Sequence, residues 1–554
     1  MRSLFLALAL GSPVAAQNLA IVVAEGDVVP GVGAVTRIDG VSIASDGTSY
    51  VEADTDNPNT AADFVLLRDG VLFLREDQPL PQPAGARLGS FDGASAGPGG
   101  TVVTNLVLDG TTGSGDNSGI YLGDALVLQE GAISNATAFT PGTDYVRFFD
   151  AKFGAPDEIL VVASVDDSMI PGGVDSALVT LSIDGVGNLI GESVVALEGQ
   201  VLPGQIQPIE NFGARAEESD INASGQAIFS VDLAGNAAVD RALYLGTTLI
   251  AQEGSPSPIP GRNWGPLDGV EVDLNDAGDY VFKAEVDGDS ADDDVIIRNG
   301  SVYRRAGESL PDIAPFVLED FGGSVGVWIT AGGDVIWFGD WNDPDSSRDE
   351  GLFFNDRLIL QEGVTFVDGE VIVDLSDLSE QVDVAPDGSR MLVEGEIEGT
   401  TGDLDVVIEI VLNLGFNYCD AKPNSTGVPA RISLAGSDLA GDNDLTLSAS
   451  SLPNFSFGFF LTSLVQGFSA NPGGSAGNLC LAGSIGRYVG PGQILNSGAS
   501  GAFSLAVNLT QHPTPTGFVV VTAGETWNFQ AWFRDSAGGS PTSNFTDGTE
   551  LTFR

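Results

Sequence analysis

Seven loops rich in Asp and Glu recur along the chain, and their carboxylates are the side chains with the clearest chemistry. The loops span residues 54–63, 109–117, 166–175, 232–240, 287–294, 340–350 and 394–405. Calcium takes six to eight oxygens from carboxylates, carbonyls and water. The most clustered acids therefore predict calcium ligands at Asp54, Asp56, Asp63, Asp287, Asp289, Asp292, Asp340, Asp343 and Asp345. No loop matches the EF-hand pattern, and a solvated acidic rim is the alternative interpretation.

Two carboxylates could also hydrolyse a glycosidic bond, which needs one acid of raised pKa and a partner carboxylate about 5–10 Å away. The chain has 77 acidic residues, so chance alone supplies such pairs and no spacing singles one out. The most regular acids belong to Glu-Gly pairs, at Glu25, Glu130, Glu198, Glu253 and Glu362. A catalytic residue is needed once, so this repetition indicates that these glutamates shape turns.

Residues 1–414 contain no histidine and no cysteine, the side chains that nucleophilic catalysis and zinc binding usually require. This excludes Ser-His-Asp and Cys-His catalysis there, and zinc or copper held by His or Cys. The single histidine, His512, lies in the turn-like segment 511–517 and is predicted to be a surface residue. The chain also has no phosphate-binding P-loop, no nucleophile elbow and no zinc-protease motif.

A strand-like segment near the end of the chain, TWNFQAWFRD (526–535), has two chemically different faces. Period-two alternation predicts a core face of Trp527, Phe529, Ala531 and Phe533. The other face carries an aromatic with amide and guanidinium groups, a mixture that can stack on and hydrogen-bond a sugar: Asn528, Gln530, Trp532 and Arg534. Alternatively, Trp532 packs under a neighbouring loop and Arg534 pairs with Asp535 or Asp547.

The only cysteines, Cys419 and Cys480, lie in the last quarter of the chain. In an exported protein a lone pair usually forms one structural disulfide. Closing a loop of this size could stabilise the fold by about 4 kcal/mol in the chain-entropy model. Metal binding by the two thiols and the distant histidine is the alternative.

A repeated unit must position the acidic loops. A short apolar run closed by a Glu-Gly-like pair occurs at 21–26, 72–77, 126–131, 194–199, 249–254, 303–308 and 358–363, at spacings of 51, 54, 68, 55, 53 and 56 residues. Each unit also contains a polar turn followed by alternating apolar residues, and about four short strands in all. We therefore expect an all-β fold with a seven-bladed β-propeller of four-stranded blades over residues 17–414. A β-solenoid is the alternative.

The third unit is the longest, and its insert around Phe139–Phe149 interrupts the regular repeat. An enzyme would break the repeat where loops diverge and carry unique polar groups. The insert and its edge hold Tyr145, Arg147 and Asp150. If the chain has a catalytic pocket, the sequence predicts that it lies at this segment.

The start of the chain and its charge indicate an exported protein. Residues 1–16 have the basic start, apolar stretch and small residues of a signal peptide. No later run provides the roughly 18 apolar residues of a membrane span.

Of the net charge of -55, residues 415–554 contribute -3 and the rest -52, which places a domain boundary near Gly415. The acidic domain will repel nucleic acid, and its charge serves either solubility or cation binding.

Residues 415–554 contain strand-like runs without the repeat and predict a β-sandwich with one disulfide. The segments NYC (417–419), PNSTG (423–427), LCLAGSIGR (479–487), WNFQAWFRD (527–535) and SNFTDG (543–548) resemble a C-terminal module of secreted proteins from planctomycete-type bacteria. The acidic repeats are similar to repeat regions of proteins of the same kind. The resemblance implies an exported modular protein, and no catalytic residue, substrate or cofactor comes with it.

Together these features predict a non-enzymatic binding or structural protein of the cell surface, the extracellular medium or the periplasm. Calcium is the one cofactor predicted. The expected partner is a protein or polysaccharide of the envelope or matrix. The alternative is a polysaccharide-active hydrolase or lyase that uses carboxylates on the propeller face.

Overall fold

The computed structural model describes residues 18–553 except 156, 171–174, 213–217, 238, 323–325, 377, 387, 400–401, 412–413, 420, 437–439, 444 and 538. The predicted signal peptide, residues 1–16, lies outside the described residues. The chain divides into two compact units, one of residues Leu19–Ile410 and one containing Val411–Arg554. The described residues form β-strands and five short 3-10 turns, with no α-helix among them and hence no helix able to cross a membrane. The 3-10 turns are Pro98–Gly100, Ser379–Gln381, Ala440–Asp442, Pro472–Gly474 and Leu509–Gln511.

The first unit begins with β1 (Asn18–Ala24) and forms seven small antiparallel sheets, one for each repeat. The first sheet comprises β2 (Val28–Val29), β3 (Gly33–Ile43), β4 (Ser49–Thr55), β5 (Phe64–Arg68) and β6 (Val71–Arg75). The second comprises β7 (Arg87–Gly97), β8 (Thr101–Asp109), β9 (Ser118–Leu122) and β10 (Ala125–Gln129). The third comprises β11 (Asp144–Ala155), β12 (Glu158–Asp166), β13 (Asp175–Ile183) and β14 (Leu189–Leu197).

The remaining four sheets repeat the same order. The fourth comprises β15 (Ile209–Asn211), β16 (Ser219–Ile221), β17 (Ala227–Leu233), β18 (Arg241–Leu245) and β19 (Thr248–Gln252). The fifth comprises β20 (Val272–Leu274), β21 (Tyr280–Glu285), β22 (Asp294–Arg298) and β23 (Ser301–Arg305). The sixth comprises β24 (Leu318–Asp320), β25 (Val327–Ile329), β26 (Val335–Trp341), β27 (Glu350–Phe354) and β28 (Arg357–Gln361). The seventh comprises β29 (Phe366–Val367), β30 (Glu370–Leu375), β31 (Val382–Val384), β32 (Arg390–Ile397), β33 (Leu404–Val411) and, as its last strand, β1.

The sheets form a closed, propeller-like ring. In each sheet the strand nearest the centre of the ring is here called its first strand, and these are β3, β7, β11, β16, β20, β25 and β31. The first strands touch in sequence, β3 with β7, β7 with β11, β11 with β16, β16 with β20 and β20 with β25. Ala331 N, after β25, donates to Pro386 O, after β31 (3.1 Å), and β31 contacts β3. The chain's first strand, β1, completes the seventh sheet beside β33, so both ends of the unit are fixed in one sheet. The predicted all-β fold is confirmed.

The Glu-Gly pairs recur because they build one turn of each sheet. Gly131 and Gly199 have φ angles of 81° and 80°, a left-handed conformation that glycine adopts without a Cβ clash. Glu130 Oε2 accepts from Asn117 N (3.1 Å), and Glu198 Oε2 accepts from Ser176 N (2.8 Å). Each carboxylate thereby ties the last strand of its sheet to the start of the third strand.

Apolar side chains fill the spaces between neighbouring sheets. One cluster joins the second and third sheets through Val103 and Ile120 against Val161 and Val179. Another cluster, in the sixth sheet, contains Trp337, which is fully buried. Successive side chains of a strand point to opposite faces of its sheet, and each face packs against a neighbouring sheet. The core of this unit therefore lies between the sheets.

The second unit packs two sheets face to face. The larger sheet comprises β34 (Phe416–Cys419), β37 (Phe457–Ser463), β40 (Gly486–Arg487), β41 (Leu495–Asn496), β45 (Thr526–Ala537), β46 (Ser540–Phe545) and β47 (Gly548–Thr552). The smaller comprises β35 (Arg431–Gly436), β36 (Leu445–Ser450) and β42 (Phe503–Val507). Two hairpins complete the unit: β38 (Val465–Ala470) with β39 (Asn478–Ala482), and β43 (His512–Thr514) with β44 (Gly517–Val519).

The core of this unit lies between the two sheets. The predicted core face of β45 is confirmed, since its four residues are all buried there: Trp527, Phe529, Ala531 and Phe533. The predicted disulfide between Cys419 and Cys480 is also confirmed. Such cross-links are typical of proteins outside the cytoplasm.

The expectation that His512 is a surface residue is wrong. Its side chain is fully buried, with Thr462 Oγ1 at 2.8 Å from Nε2 and the Tyr488 hydroxyl at 3.0 Å from Nδ1. The Trp527 ring lies 4.1 Å away, centroid to centroid. His512 is the first residue of β43, and its side chain points inward although the surrounding sequence is typical of a turn.

Candidate functional site

A cavity of about 630 Å³ lies at the centre of the ring. The first strands of all seven sheets line it, together with the polar turns that follow several of them. This volume is within the range of small-molecule sites in proteins. The cavity is thus the place where every repeat contributes side chains to one space.

One residue of each first strand, here called the latch position, connects its sheet to the next. Ser42 Oγ accepts from Ala96 N (2.9 Å), and Ser95 Oγ accepts from Phe153 N (3.1 Å). Carboxylates do the same elsewhere: Leu274 N donates to Asp220 (2.8 Å), Ile329 N to Asp273 (2.6 Å) and Ile43 N to Asp383 (2.7 Å). Five of the seven sheet boundaries are held in this way.

The other two latch positions carry Lys152, in the third sheet, and Trp328, in the sixth. Their places follow from the next residues in the chain, because Phe153 N and Ile329 N each donate a hydrogen bond to the latch residue of the preceding sheet. Neither a lysine nor a tryptophan side chain can accept a backbone hydrogen bond in this way. Both side chains line the cavity. At these two sheet boundaries the latch position therefore accepts no hydrogen bond from the backbone of the next sheet.

The Lys152 ammonium group lies among carboxylates from three other sheets. Its Nζ atom is 3.5 Å from Asp220 Oδ1 in the fourth sheet. Its charge also acts on Asp273 in the fifth sheet and Asp383 in the seventh, in both cases favouring the ionised carboxylate. The cavity therefore already accommodates one ammonium group.

Burial governs the two latch carboxylates that face Lys152. Burial, and next the adjacent Asp220 carboxylate, raises the pKa of Asp273 well above its ordinary value. Burial raises the pKa of Asp383 to about 6, against the hydrogen bonds from Ser42 and Ile43. Both side chains are surrounded by protein but keep partial exposure, because they face the cavity. The Asp273 carboxyl also shares a hydrogen bond with the Asp220 side chain.

The charge of the cavity is strongly negative overall. Nine acidic side chains line it: Asp46, Glu52, Asp150, Asp220, Glu271, Asp273, Asp276, Glu380 and Asp383. Among the described residues Lys152 is the one basic side chain in this lining. Low-dielectric walls concentrate such a field, which attracts cations and repels anions.

Glu271 and Trp328 converge on one point of the wall. A Cβ atom placed on Gly326 would lie 3.0 Å from the Trp328 ring and 3.3 Å from Glu271 Oε2. Glycine at this position therefore leaves room for an aromatic ring and a carboxylate side by side. This pairing is the usual composition of an ammonium-binding subsite, since the ring face and the carboxylate both attract a cation.

The described parts of the acidic loops lie between the second and third long strands of their sheets. Seven of the nine predicted calcium ligands already contact an arginine or an N–H donor. Asp54 is 3.3 Å from Arg37 Nη2, and Asp56 Oδ1 accepts from Ala34 N (2.7 Å). Asp63 lies beside Glu76, whose pKa burial raises. In this loop the carboxylates stabilise local structure.

The other two predicted calcium loops are similar. Asp287 accepts two hydrogen bonds from Asn263, Asp289 caps a turn at Ala291 N (3.2 Å), and Asp292 pairs with Arg262 and Arg305. Asp343 and Asp345 both contact Arg348, whereas Asp340 lies against Asp320. Among the described residues, no group of three or more His, Cys, Asp or Glu side chains is arranged to hold a metal ion.

The predicted sugar-binding face of β45 is mostly interior. Asn528 is 2% exposed and Gln530 is fully buried. The Gln530 amide donates to Asn478 O (2.9 Å) and Thr546 O (2.7 Å) and accepts from Cys480 N (2.9 Å). Trp532 is half-buried against Phe459, and only Arg534 is exposed. The hairpin of β38 and β39 covers this face, which the sequence of one strand cannot reveal.

The insert of the third unit also lacks an active nucleophile. Tyr145 is fully buried and donates to Glu192 Oε2 (3.0 Å), and burial raises its pKa above the ordinary value. Arg147 is exposed over the Phe149 ring. Asp150 alone reaches the central cavity.

Sequence analysis did not place Lys152 and Trp328 in a site, although a signal was available. Lys152 is one of three lysines and Trp328 one of six tryptophans in the chain. In each unit the latch position lies two to three residues before the polar turn. This residue is Ser or Asp in five units, Lys152 in the third and Trp328 in the sixth. The Glu-Gly pairs, the most regular feature of the repeat, lie at the outer strands and do not mark this position.

No protein-family model and no curated protein matches the chain. Among solved structures, a neuraminidase-like protein of A/flat-faced bat/Peru is 12% identical over 71% of this chain and 94% of its own, with a TM-score of 0.28. Trypanosoma rangeli sialidase with the inhibitor DANA is 11% identical over 94% and 96%, with a TM-score of 0.27. A glycoside hydrolase family 32 protein from Bifidobacterium adolescentis is 10% identical over 91% and 85%, with a TM-score of 0.21. At such TM-scores the similarity has no bearing on activity, which must be judged from the cavity.

Proposed function

We propose that this chain is an exported, non-enzymatic binding protein that holds a small organic cation in its central cavity. The cation is either free or the end group of a protein or polysaccharide of the envelope or matrix. The scaffold is assigned as a seven-bladed β-propeller followed by a β-sandwich, of the kind found in secreted proteins of planctomycete-type bacteria. Export is supported by the leader-like residues 1–16 and by the disulfide.

The observation that carries the proposal is the composition of the cavity wall. One lysine faces nine acids, and its ammonium group is held by Asp220. Trp328 and Glu271 also line the cavity, and both approach Gly326, which places an aromatic ring and a carboxylate at one point of the wall. A cation over a tryptophan face gains about 0.5–2 kcal/mol, most when it is desolvated.

A polysaccharide hydrolase is the second candidate, and one feature favours it. Burial and the adjacent Asp220 carboxylate raise the pKa of Asp273 well above its ordinary value, which places an acid of raised pKa beside a second carboxyl group in the same cavity. Two features oppose it. Hydrogen-bonded carboxyls are closer than the roughly 5–10 Å that glycoside hydrolysis requires. Both residues also act as latches, as Asp383 does, which accounts for their placement without catalysis.

Binding of choline should distinguish these functions. We expect choline to raise the melting temperature of the full chain, because a ligand that binds only the folded state stabilises it by RT ln(1 + [L]/Kd). The neutral isostere 3,3-dimethylbutan-1-ol should have no such effect, since it fills the same space without charge. Trp328→Leu should weaken choline binding by about two- to thirtyfold, measured by calorimetry.

The control is Phe366→Leu, which removes an exposed aromatic ring outside the cavity. Equal binding of the neutral isostere, or unchanged affinity in Trp328→Leu, would contradict the proposal. Turnover of a polysaccharide that is lost in both Asp220→Asn and Asp273→Asn would establish the hydrolase instead.

Calcium binding by the acidic loops is a separate proposal, centred on the sixth sheet. Asp340 lies against the Asp320 carboxylate, and its Oδ1 atom is buried with no hydrogen-bond partner among the described residues. We expect calcium to raise the melting temperature more than sodium chloride of equal ionic strength, and Asp340→Asn to remove this difference. Asp345→Asn is the control, since Asp345 already contacts Arg348. Equal shifts with both salts would mean that the acids only keep the protein soluble.

A further inference from the structure

A long segment of the second unit has almost no charge. Residues 445–524 contain a single Asp, Glu, Lys or Arg side chain, Arg487, although the whole chain carries a net charge of -55. Surfaces that face only water rarely lose their charged residues over such a length, because charge keeps proteins apart and in solution. The absence of charge indicates that part of this segment is covered by another molecule.

The same segment exposes large apolar side chains. Among those that are at least one-third exposed are Phe455, Phe457, Phe468, Ile494, Phe518 and Val520. Phe518 is 72% exposed and Val520 is 58% exposed. Grouped apolar exposure of this kind marks interaction sites, whereas single apolar residues on a surface need no explanation.

The strand β44 is the part of this segment best suited to pairing. It forms a hairpin with β43, and among the described residues no other strand pairs with it. All three of its residues are exposed. β44 is only three residues long, but the run 517–524 that contains it has no charge and no proline, two of the features that normally prevent an edge strand from pairing with another chain.

We propose that β44 pairs with β44 of a second copy of this chain, giving a two-fold symmetric dimer. The charge distribution selects this occupant. Two copies that approach through their acidic repeat units repel each other, whereas contact through the uncharged segment places no like charges opposite one another. Antiparallel pairing of one strand with itself satisfies the two-fold axis and the free backbone groups of both strands. The proposal does not depend on what the central cavity binds.

Sedimentation velocity of the full chain tests the dimer. We expect a dimer at micromolar concentration, and a Kd that falls as sodium chloride rises from 50 to 500 mM, because salt screens the repulsion between the acidic units. Phe518→Lys and Val519→Lys should each weaken dimerisation at least 100-fold. Val186→Lys and Ile206→Lys, at equally exposed apolar sites of the first unit, should leave it unchanged.

Two further measurements test whether the lysine variants fold and whether β44 lies at the dimer contact. Melting curves of the lysine variants should match the parent chain, which shows that they fold. Phe518→Cys should form an intermolecular disulfide under mild oxidation, and Val186→Cys should not. A monomer at 100 μM, a dimer that survives both lysine substitutions in β44, or binding of β44 to lipid vesicles without self-association would each overturn the proposal.

Discussion

Replacing Gly154 with alanine should destabilise the ring of sheets by about 3 kcal/mol. A Cβ atom on Gly154 would lie 1.9 Å from Ile221 Cγ2 and 3.0 Å from Ile221 O, both in the neighbouring fourth sheet. Ile221 is 4% exposed, so its side chain cannot turn into solvent. The clash occurs where β11 and β16 meet beside the cavity, and relieving it requires two sheets to move apart. Urea unfolding of the full chain measures the loss.

A matched control and a rescue identify the cause. Gly185→Ala lies in the same sheet, with no atom within 4 Å of the new Cβ, and should be nearly neutral. Ile221→Ala removes the atom that Gly154→Ala would strike, so the double variant should lose less stability than the sum of the two single losses. Additive losses would show that contact between the sheets is not what requires glycine.

The second unit should lose about 3 kcal/mol of stability between pH 6.5 and pH 4 because of His512. Burial lowers the pKa of His512 to about 3, from an ordinary 6.5. In this range the unfolded chain takes up a proton that the folded unit cannot, so stability falls as pH falls. The groups that face the ring are uncharged: Thr462, Tyr488, Trp527 and Phe529. Hydrogen exchange of peptides covering β45, corrected for the intrinsic exchange rate, reports this unit alone.

His512→Gln is the control. This variant should be less stable than the parent at pH 7 but should lack the fall below pH 6.5, because glutamine does not titrate. The first unit provides an internal comparison of opposite sign. Burial raises the pKa values of Glu362 and Glu394 to about 7, so its stability should decline as pH rises through 7. A fall in the second unit that persists in His512→Gln would rule out this explanation.

The sequence by itself determined the local structure of the protein. The Glu-Gly pairs and polar turns mark the ends of strands, and these features act within a few residues of one another. Their sevenfold recurrence therefore predicted one small sheet per unit before any contact between sheets was known. Alternation in TWNFQAWFRD likewise predicted the buried side of β45, because side-chain direction in a strand depends only on position. The two cysteines left one simple pairing.

Tertiary structure decided where the chemistry lies. The acidic loops dominated the sequence because they contain the most carboxylates, yet arginines and N–H groups already contact seven of the nine predicted calcium ligands. Which face of β45 is covered depended on a hairpin about 50 residues earlier in the chain. The cavity exists only because seven first strands meet around one axis, and this brings Lys152 within 3.5 Å of Asp220, 68 residues away. Such contacts arise from closure of the ring, which no local pattern encodes.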